Sequence, residues 1–305
     1  MNKVCVVIVN YNTQEALRRC LASLDSSLEV IVVDNASTDG SVEMVAREFP
    51  QVRLIANSEN LGFGRANNQG MATATRKLVL LLNSDAVAAA GAVETLASAF
   101  EDSNVIAAGG RLQHADGTLQ ESAANELSLW AVFCEQLWLE KLFPGSYIFS
   151  PYWMSKRLLE KSPGPHPVAQ VMGACLMLRP VLQFDERFFL YCEDTELCYR
   201  LRKQGSIVYV PSAIFAHQLG TSSRSERWRA IAMYNVGKEL YFRIRRGKIA
   251  SFVCWSLDRK GAFLRLAAWG LATAVTLGFV ARFRRQTYTF GKVLFAASSY
   301  QKLTR

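Results

Sequence analysis

Four times within its first 85 residues the chain repeats one pattern: a short run dominated by apolar residues, closed by Asn, Asp or Ser. The runs cover residues 4–9, 29–33, 52–55 and 78–82. Near-continuous apolar runs are what strands buried on both faces look like. Stretches of helical spacing separate them, at residues 14–24, 41–49 (stopped by Pro50) and 64–74, with another at 91–100. Short buried strands alternating with helices predict an α/β fold, a mostly parallel sheet flanked by helices in the Rossmann manner. A further strand is expected at 105–109 and a turn at Gly117-Thr118. Between residues 122 and 167 the pattern loosens into a stretch rich in Trp, Phe and Tyr, punctuated by turns. Regular order returns at 168–178, in an acidic helix start at Glu193, and in a strand at 207–210.

The placement of the polar closures is what points to chemistry. In an open α/β sheet, ligands bind beyond the carboxyl ends of the strands. Parallel strands would gather all four closures on that one edge: Asn10-Tyr11-Asn12, residues 34–41 beginning Asp34-Asn35, residues 57–64 ending Gly62-Phe63-Gly64, and Asn83-Ser84-Asp85. Each cluster alone also reads as a turn or a helix cap, since Asn, Asp, Ser and Gly build both. Asp85 follows five consecutive apolar residues, so a buried strand delivers its carboxylate to a position suited to a metal ion or a sugar hydroxyl. Asp34 ends the second strand, where a carboxylate can accept the N3–H of a uracil or thymine ring; an Asx turn is the plainer alternative. Gly62-Phe63-Gly64 lets backbone approach a ligand at a helix start, where free N–H groups favour phosphate. It is neither a Walker loop nor Gly-x-Gly-x-x-Gly, because Asn67 stands at the last position.

In the second half, an acidic run at Glu193, Asp194 and Glu196 follows Phe188-Phe189-Leu190-Tyr191. Such a run can be a solvated first turn favoured by the helix dipole. A carboxylate walled by apolar residues can instead serve as a general base. His217, one of three histidines, is expected just past a strand. With Asp85 and a diphosphate it would complete the coordination of Mn²⁺ or Mg²⁺, through oxygen ligands and one imidazole.

Charge and cysteine usage narrow the setting. The net charge is +9, but residues 240–305 hold 13 Lys or Arg and one acid, Asp258. The first 239 residues therefore carry 22 basic and 25 acidic side chains, a balance of −3. A slightly acidic body argues against nucleic acid as a partner, and a basic tail argues for an anionic surface. The seven cysteines are an odd number without a Cys-x-x-Cys pair, which fits a reducing, cytoplasmic compartment better than a disulfide framework or a zinc site. The apolar run at 4–9 is too short for a secretory leader. In the tail, the uncharged run 266–281, taken as one helix at about 1.5 Å per residue, would span roughly 24 Å, short of the ~30 Å hydrocarbon core. It reads either as a helix packed on the body or as one lying at an anionic membrane surface.

Taken together, these residues resemble glycosyltransferase family 2, with its GT-A fold, and most closely its rhamnosyltransferase-like branch. The matching stretches are residues 7–12, 33–41, 60–64 with 67–70, 82–85, 172–175 and 191–200 with His217, in family order. The resemblance covers roughly residues 4–220; after about Lys238 the composition changes to Arg, Lys and apolar residues, which places the boundary of the catalytic domain at 1–238, with a nucleotide-sugar half at 1–110 and an acceptor and catalytic half at 111–238, before the basic tail at 239–305. It implies that Asn10, Asn12, Asp34, Asn60, Gly62, Asn67, Asn83 and Glu193 bind the nucleotide sugar. Asp85 would bind the divalent metal, His217 would contact the metal or the diphosphate, and Asp194 would be the catalytic base. Asn83 stands where the family's Asp-x-Asp has its first acid, so Asp85 would carry the metal contact nearly alone. Arg65 falls where a small or neutral residue is expected. The implied activity is inverting transfer of a sugar, L-rhamnose from dTDP-rhamnose, to a saccharide or lipid-linked saccharide acceptor in cell-envelope polysaccharide synthesis, at the inner face of the cytoplasmic membrane. Acceptor contacts are expected in the aromatic stretch 122–167. A UDP-hexose or UDP-galactofuranose donor is the alternative within the class. A nucleotidyltransferase would want a Gly-rich, Lys- or Arg-bearing loop after the first strand, where Asn10-Tyr11-Asn12 stands. A non-catalytic sugar-nucleotide-binding or membrane-binding protein would not need Asp85, Asp194 and His217 together.

Overall fold

A computed structural model describes residues 3–162, 164–218 and 227–303. They fall into two compact units: residues 1–126, 152–189 and 193–222 in the first, and residues 127–151, 190–192 and 223–305 in the second. In chain order the strands are β1 (Val4–Asn10), β2 (Glu29–Asp34), β3 (Arg53–Ala56), β4 (Leu78–Asn83), β5 (Ala86–Ala88), β6 (Val105–Gln113), β7 (Leu119–Gln120), β8 (Ala123–Ala124), β9 (His166–Pro167), β10 (Gln170–Val171), β11 (Cys175–Leu178) and β12 (Ser206–His217). The helices are α1 (Gln14–Ala22), α2 (Ser41–Glu48), α3 (Phe63–Thr73), α4 (Ala92–Ser98), α5 (Leu129–Gln136), α6 (Leu139–Leu142), α7 (Ser155–Leu159), α8 (Glu193–Leu201), α9 (Arg227–Val275), α10 (Ala281–Leu294) and α11 (Tyr300–Leu303).

The first unit is built on one sheet of order β3-β2-β1-β4-β11-β6-β12-β5. The four strands of the opening pattern are its mutually parallel edge, β1 pairing with β2 and β4, and β2 with β3. The runs of β1, β2 and β4 are buried on both faces, as expected; β3, the outermost strand, is only partly covered, with Arg53 and Ala56 exposed. Val4, Val6 and Ile8 join Leu17 and Cys20 of α1 and Met44 of α2 in one core; Cys5 and Val7 join Ala66 and Met71 of α3 and Leu197 and Leu201 of α8 in the other. β11 runs antiparallel between β4 and β6, and β12 returns parallel to β6.

Two expectations need correction. The strand expected at 207–210 continues through Pro211 to His217, its register against β6 slipping between Val210 and Ile214. The proline ends ladder donation locally without ending the strand. His217 is therefore the last residue of β12, opposite Ala86 of β5. The uncharged run 266–281 is not one helix: α9 stops at Val275, Leu277 and Gly278 take left-handed backbone (φ 47° and 75°), and α10 starts at Ala281.

The second unit is helical. α9 kinks at Gly247 (φ 87°, ψ 178°), a conformation open to glycine. The compositional change near Lys238 falls inside this helix. Lys238 is fully buried, with its Nζ 2.7 Å from Asp258 Oδ1 and 3.5 Å from Glu135 Oε2. Asp258 also accepts from Gln136 Nε2 at 3.0 Å. Removing one partner of such a buried pair costs about 3–5 kcal/mol. All seven cysteines are buried and free of disulfides.

Candidate active site

The polar closures at the parallel edge do converge, and several are bonded to one another. Asn10, 0% exposed, donates from Nδ2 to Asp34 Oδ2 (2.8 Å) and Ser37 Oγ (3.1 Å), and its Oδ1 accepts from Thr13 Oγ1 (2.6 Å). Thr13 Oγ1 lies 2.8 Å from Ser84 Oγ. Asp34 Oδ1 accepts the Ser37 N–H, three residues on, at 2.8 Å, so this oxygen closes its own loop in the manner of a cap rather than an Asx turn. Asn12, with left-handed backbone (φ 53°), donates its N–H to Ser37 Oγ and accepts the Thr38 N–H. Asp39 receives the first helical N–H of α1 and the Ser41 N–H of α2. Much of the repeated Asn, Asp and Ser signal thus laces three strand-end loops into one platform. Asp34 is 1% exposed. Each of its carboxylate oxygens accepts one bond in this platform and has a second acceptor position.

Beside the platform lies a group of another kind. Asp85 sits in the tight turn between β4 and β5, and its Oδ1 is 3.1 Å from His217 Nε2. Asn83 Nδ2 is 3.1 Å from the same nitrogen, and His217 Nδ1 is 3.1 Å from the buried Gln120 Oε1. A carbonyl oxygen at Nδ1 holds the proton there. Nε2 therefore has both the Asn83 amide and the Asp85 carboxylate within hydrogen-bonding distance. A proton or a metal ion against both lets an imidazole nitrogen and a carboxylate oxygen sit at this distance. Carboxylate oxygen and imidazole nitrogen form a donor set that suits Mn²⁺ or Mg²⁺, so Asp85 and His217 fit a divalent ion as two of its ligands. Among the described residues no three His, Cys, Asp or Glu side chains converge on one metal position.

The acidic run at the start of α8 is not a solvated turn. Glu196 is fully buried and gripped by Arg200, whose Nη2 also bonds the Gln183 carbonyl. Glu193 is buried, its Oε2 finds no hydrogen-bond partner among the described residues, and burial, with the Asp194 charge adding, pushes its carboxyl well above the ordinary value of 4.5. It lies against the first turn of α3, by Gly64. Asp194 is half-buried, and its carboxyl is raised by burial, against the pull of the N–H groups of Gly173 (2.8 Å, to Oδ2) and Thr195 (2.7 Å, to Oδ1). Tyr191 and Cys192, just before α8, both have left-handed backbone (φ 70° and 67°). Such non-glycine strain, about 1–3 kcal/mol per residue, gathers at functional sites.

Gly173 joins the two acidic centres. A side chain there would press on Phe63 (3.2 Å) and on Asp194 Cβ (3.4 Å). While Gly173 N–H holds Asp194, the next carbonyl, Ala174 O, accepts the Asn83 N–H at 3.1 Å. Asp194 and the end of β4 therefore flank one short stretch of backbone, and the Asp85 and His217 pair lies on the β4 side of it.

The Gly62 segment is a close backbone approach. Gly62 has φ 83°, and an added Cβ would lie 2.4 Å from Phe189 O. Asn60 Oδ1 caps its N–H, and the Gly62 carbonyl takes the Asn35 amide. Asn67 is 1% exposed and bonds Phe63 O within α3, so its side chain supports the helix start. Arg65 pairs with Glu186 across 3.6 Å on the surface. Sequence reasoning missed Gln120, Thr13 and Ser37. Gln120 lies in a two-residue strand with no motif around it, and its role appears only once β7 pairs with β6.

A helix-covered sheet that carries Asp34 and Asp85 at the carboxyl ends of parallel strands is the frame of a nucleotide-sugar-dependent glycosyltransferase, and the chain belongs to Glycosyl transferase family 2, whose sequence model matches residues 5–162. It is 32% identical over 240 residues, 72% of this chain and 76% of the relative, to an N-acetylglucosaminyl-diphospho-decaprenol L-rhamnosyltransferase of Mycobacterium tuberculosis. It is 23% identical over 214 residues, 67% of this chain and 63% of the relative, to the low-salt glycan biosynthesis hexosyltransferase Agl10 of Haloferax volcanii. Among solved structures, a mannosyltransferase of Pyrobaculum calidifontis in complex with GDP-Man and Mn²⁺ shares the fold, with a TM-score of 0.56 at 17% identity, covering 96% of this chain and 87% of that one.

Proposed function

We propose that the chain transfers L-rhamnose from dTDP-rhamnose, with inversion at the anomeric carbon, to a lipid-linked saccharide at the cytoplasmic face of a membrane, in cell-envelope polysaccharide synthesis. The donor and acceptor classes rest on the mycobacterial relative, an L-rhamnosyltransferase named for an N-acetylglucosaminyl-diphospho-decaprenol. The reaction type rests on one observation: the hydrogen bonds on either side of the Gly173–Ala174 stretch set Asp194 beside the strand end that carries Asp85.

In this reading Asn10, Asn12 and Asp34 shape the nucleotide pocket, with Asp34 offering its second acceptor positions to a base N–H. The close backbone at Asn60 and Gly62 and the start of α3, held by Asn67, receive the sugar nucleotide. Glu193, its carboxyl raised by burial, lines the sugar end. Asp85 and His217, oriented by Asn83 and Gln120, would hold a divalent cation. Bound there, the cation supplies Lewis-acid stabilisation of the charge that develops on the departing diphosphate. Asp194 removes the proton of the acceptor hydroxyl as that oxygen attacks the opposite face of the anomeric carbon. Burial raises this carboxyl, which brings its basicity closer to the task, and general-base catalysis typically contributes about 10²–10⁴-fold. One base and one in-line displacement give inversion. The basic C-terminal segment meets the anionic membrane surface that carries the acceptor, and among the described residues no helix is long and apolar enough to cross a membrane.

A screen of nucleotide sugars, by thermal stabilisation and by nucleoside diphosphate release with Mn²⁺, tests the donor. dTDP-rhamnose should give the largest response. A UDP-hexose or UDP-galactofuranose ranking first would replace the rhamnose assignment while leaving the reaction class intact.

A further inference from the structure

Beyond Gly247, α9 and α10 form a helical hairpin within the second unit. The Arg259 guanidinium clamps the end of α10 through Val293 O (2.6 Å), Leu294 O (2.9 Å) and Ala296 O (2.8 Å). Thr273 and Thr287 bond at 3.0 Å, and the Trp269 and Phe283 rings lie 5.5 Å apart. These contacts occupy the facing sides of the two helices. The outer side of α9 instead presents Ile249, Phe252, Phe263 and Leu271 to solvent at helical spacing. At the corner, where the backbone turns through Leu277 and Gly278, Leu277 is 81% and Phe279 84% exposed. Large apolar side chains so exposed on one side of a helix mark an interaction surface.

The surrounding charge is of one sign. Beyond Leu240 the only acid is Asp258, which is buried against Lys238. The tip is followed at once by Arg282, Arg284 and Arg285, all exposed, and Arg284 bonds the Gly278 carbonyl at the corner. Apolar side chains next to arginines, with no exposed acid, complement an anionic lipid surface, where headgroup phosphates meet acyl chains.

We infer that the outer face and tip of the α9–α10 hairpin are a bilayer-docking surface: Leu277 and Phe279 enter the acyl region, and Arg282, Arg284 and Arg285 bind the phosphates of anionic lipids. The hairpin lies at the interface and does not span it. This deepens the proposal of a membrane-borne acceptor by naming the surface that reaches the membrane. The geometry also gives a reason for the clamp at Arg259: a tip inserted as a wedge needs the two helices behind it to move together.

The test is vesicle flotation of the full-length protein with phosphatidylcholine alone and with phosphatidylcholine mixed with phosphatidylglycerol. Wild type should float with the anionic vesicles and release as salt is raised, since each basic residue near such a surface contributes about fivefold in partitioning. The double variant Leu277→Asp, Phe279→Asp should lose tenfold or more in partitioning, with unchanged melting temperature and unchanged nucleotide-sugar turnover in solution. The triple variant Arg282→Gln, Arg284→Gln, Arg285→Gln should lose the preference for anionic lipid. Equal flotation of wild type and the tip variant overturns the inference, as does equal binding to both vesicle types. So does a dimer in sedimentation equilibrium that the tip variant abolishes, because the face would then belong to a second copy. Flotation needs no donor, so its failure is separate from failure of the glycosyltransferase reading, which the turnover measurement reports.

Discussion

Replacing Asp194 by Asn removes a base while leaving size and shape nearly unchanged, and the structure says what else changes. Both carboxylate oxygens accept a backbone N–H, from Gly173 at 2.8 Å and Thr195 at 2.7 Å. The asparagine oxygen can serve only one of them, so the NH₂ group faces a donor, at about 1–3 kcal/mol. Against this, the neutral amide escapes the burial that raises the Asp194 carboxyl. The two effects oppose, so the melting temperature should move by only a few degrees. Turnover should not be spared. Losing general-base assistance of about 10²–10⁴-fold corresponds to roughly 2.7–5.5 kcal/mol in the barrier. The assay is steady-state transfer, with nucleotide affinity measured separately by calorimetry. The expected result is a fall in kcat of at least a hundredfold with nucleotide affinity within about twofold of wild type. In wild type the acid limb of the kcat profile should lie above the ordinary aspartate value of 3.8, because the carboxyl is raised, and activity should rise with pH through it. Near-normal kcat in Asp194→Asn would refute the assignment of the base, whatever the fate of the metal site.

Further outcomes follow from the neighbouring residues. Asp85→Ala should abolish the Mn²⁺-dependent part of nucleotide binding and leave the metal-free part, which calorimetry with and without Mn²⁺ separates. Gln120→Leu should weaken Mn²⁺ binding in the presence of nucleoside diphosphate by about 10–100-fold, as loss of a ligand-orienting partner does; Mn²⁺ paramagnetic resonance reads this without turnover, and unchanged affinity would show that Gln120 does not orient His217. Glu193→Gln concerns stability. The folded-state carboxyl lies well above 4.5, so the folded protein holds that proton more tightly than the unfolded chain does. Its contribution is complete below pH 4.5 and is lost as pH rises through the raised folded value. Wild type should therefore lose stability relative to the glutamine variant as pH increases, and equal melting curves at all pH values would show that the fold does not raise the Glu193 carboxyl.

Most of the fold was legible, because a strand buried on both faces must be apolar on both faces. The runs at 4–9 and 78–82 leave no amphipathic alternative, and β1 and β4 formed there with only their last residues added. The tail and β12 were less legible for two different reasons. Pro211 looked like an end to β12, yet a shifted register carries the strand past it to His217. The uncharged run 266–281 looked like one helix because a lone glycine is a weak stop signal, and the break came at Leu277-Gly278, where the Gly278 N–H bonds the Thr273 carbonyl and the Leu277 N–H the Ala274 carbonyl to close the helix end. The parallel edge was foreseen as a place where polar residues meet. The sequence could not separate residues that face a ligand from residues that hold one another: Asn10 and Thr13 bond within the platform, whereas Asn83 and Asp85 converge on His217. Gln120 could not be found, since its partner is 97 positions away and no local pattern distinguishes it from any polar strand residue.

The account stands most directly on the stereochemistry of transfer. Purified protein with Mn²⁺, the donor selected by the nucleotide-sugar screen and a lipid-linked saccharide acceptor should give a product whose new glycosidic bond, read by NMR, has the anomeric configuration opposite to that of the donor. Inversion is the outcome required by a single base, Asp194, and one in-line displacement. A product that keeps the donor's configuration would contradict that mechanism and the roles assigned here to Asp194 and to the Asp85 and His217 pair.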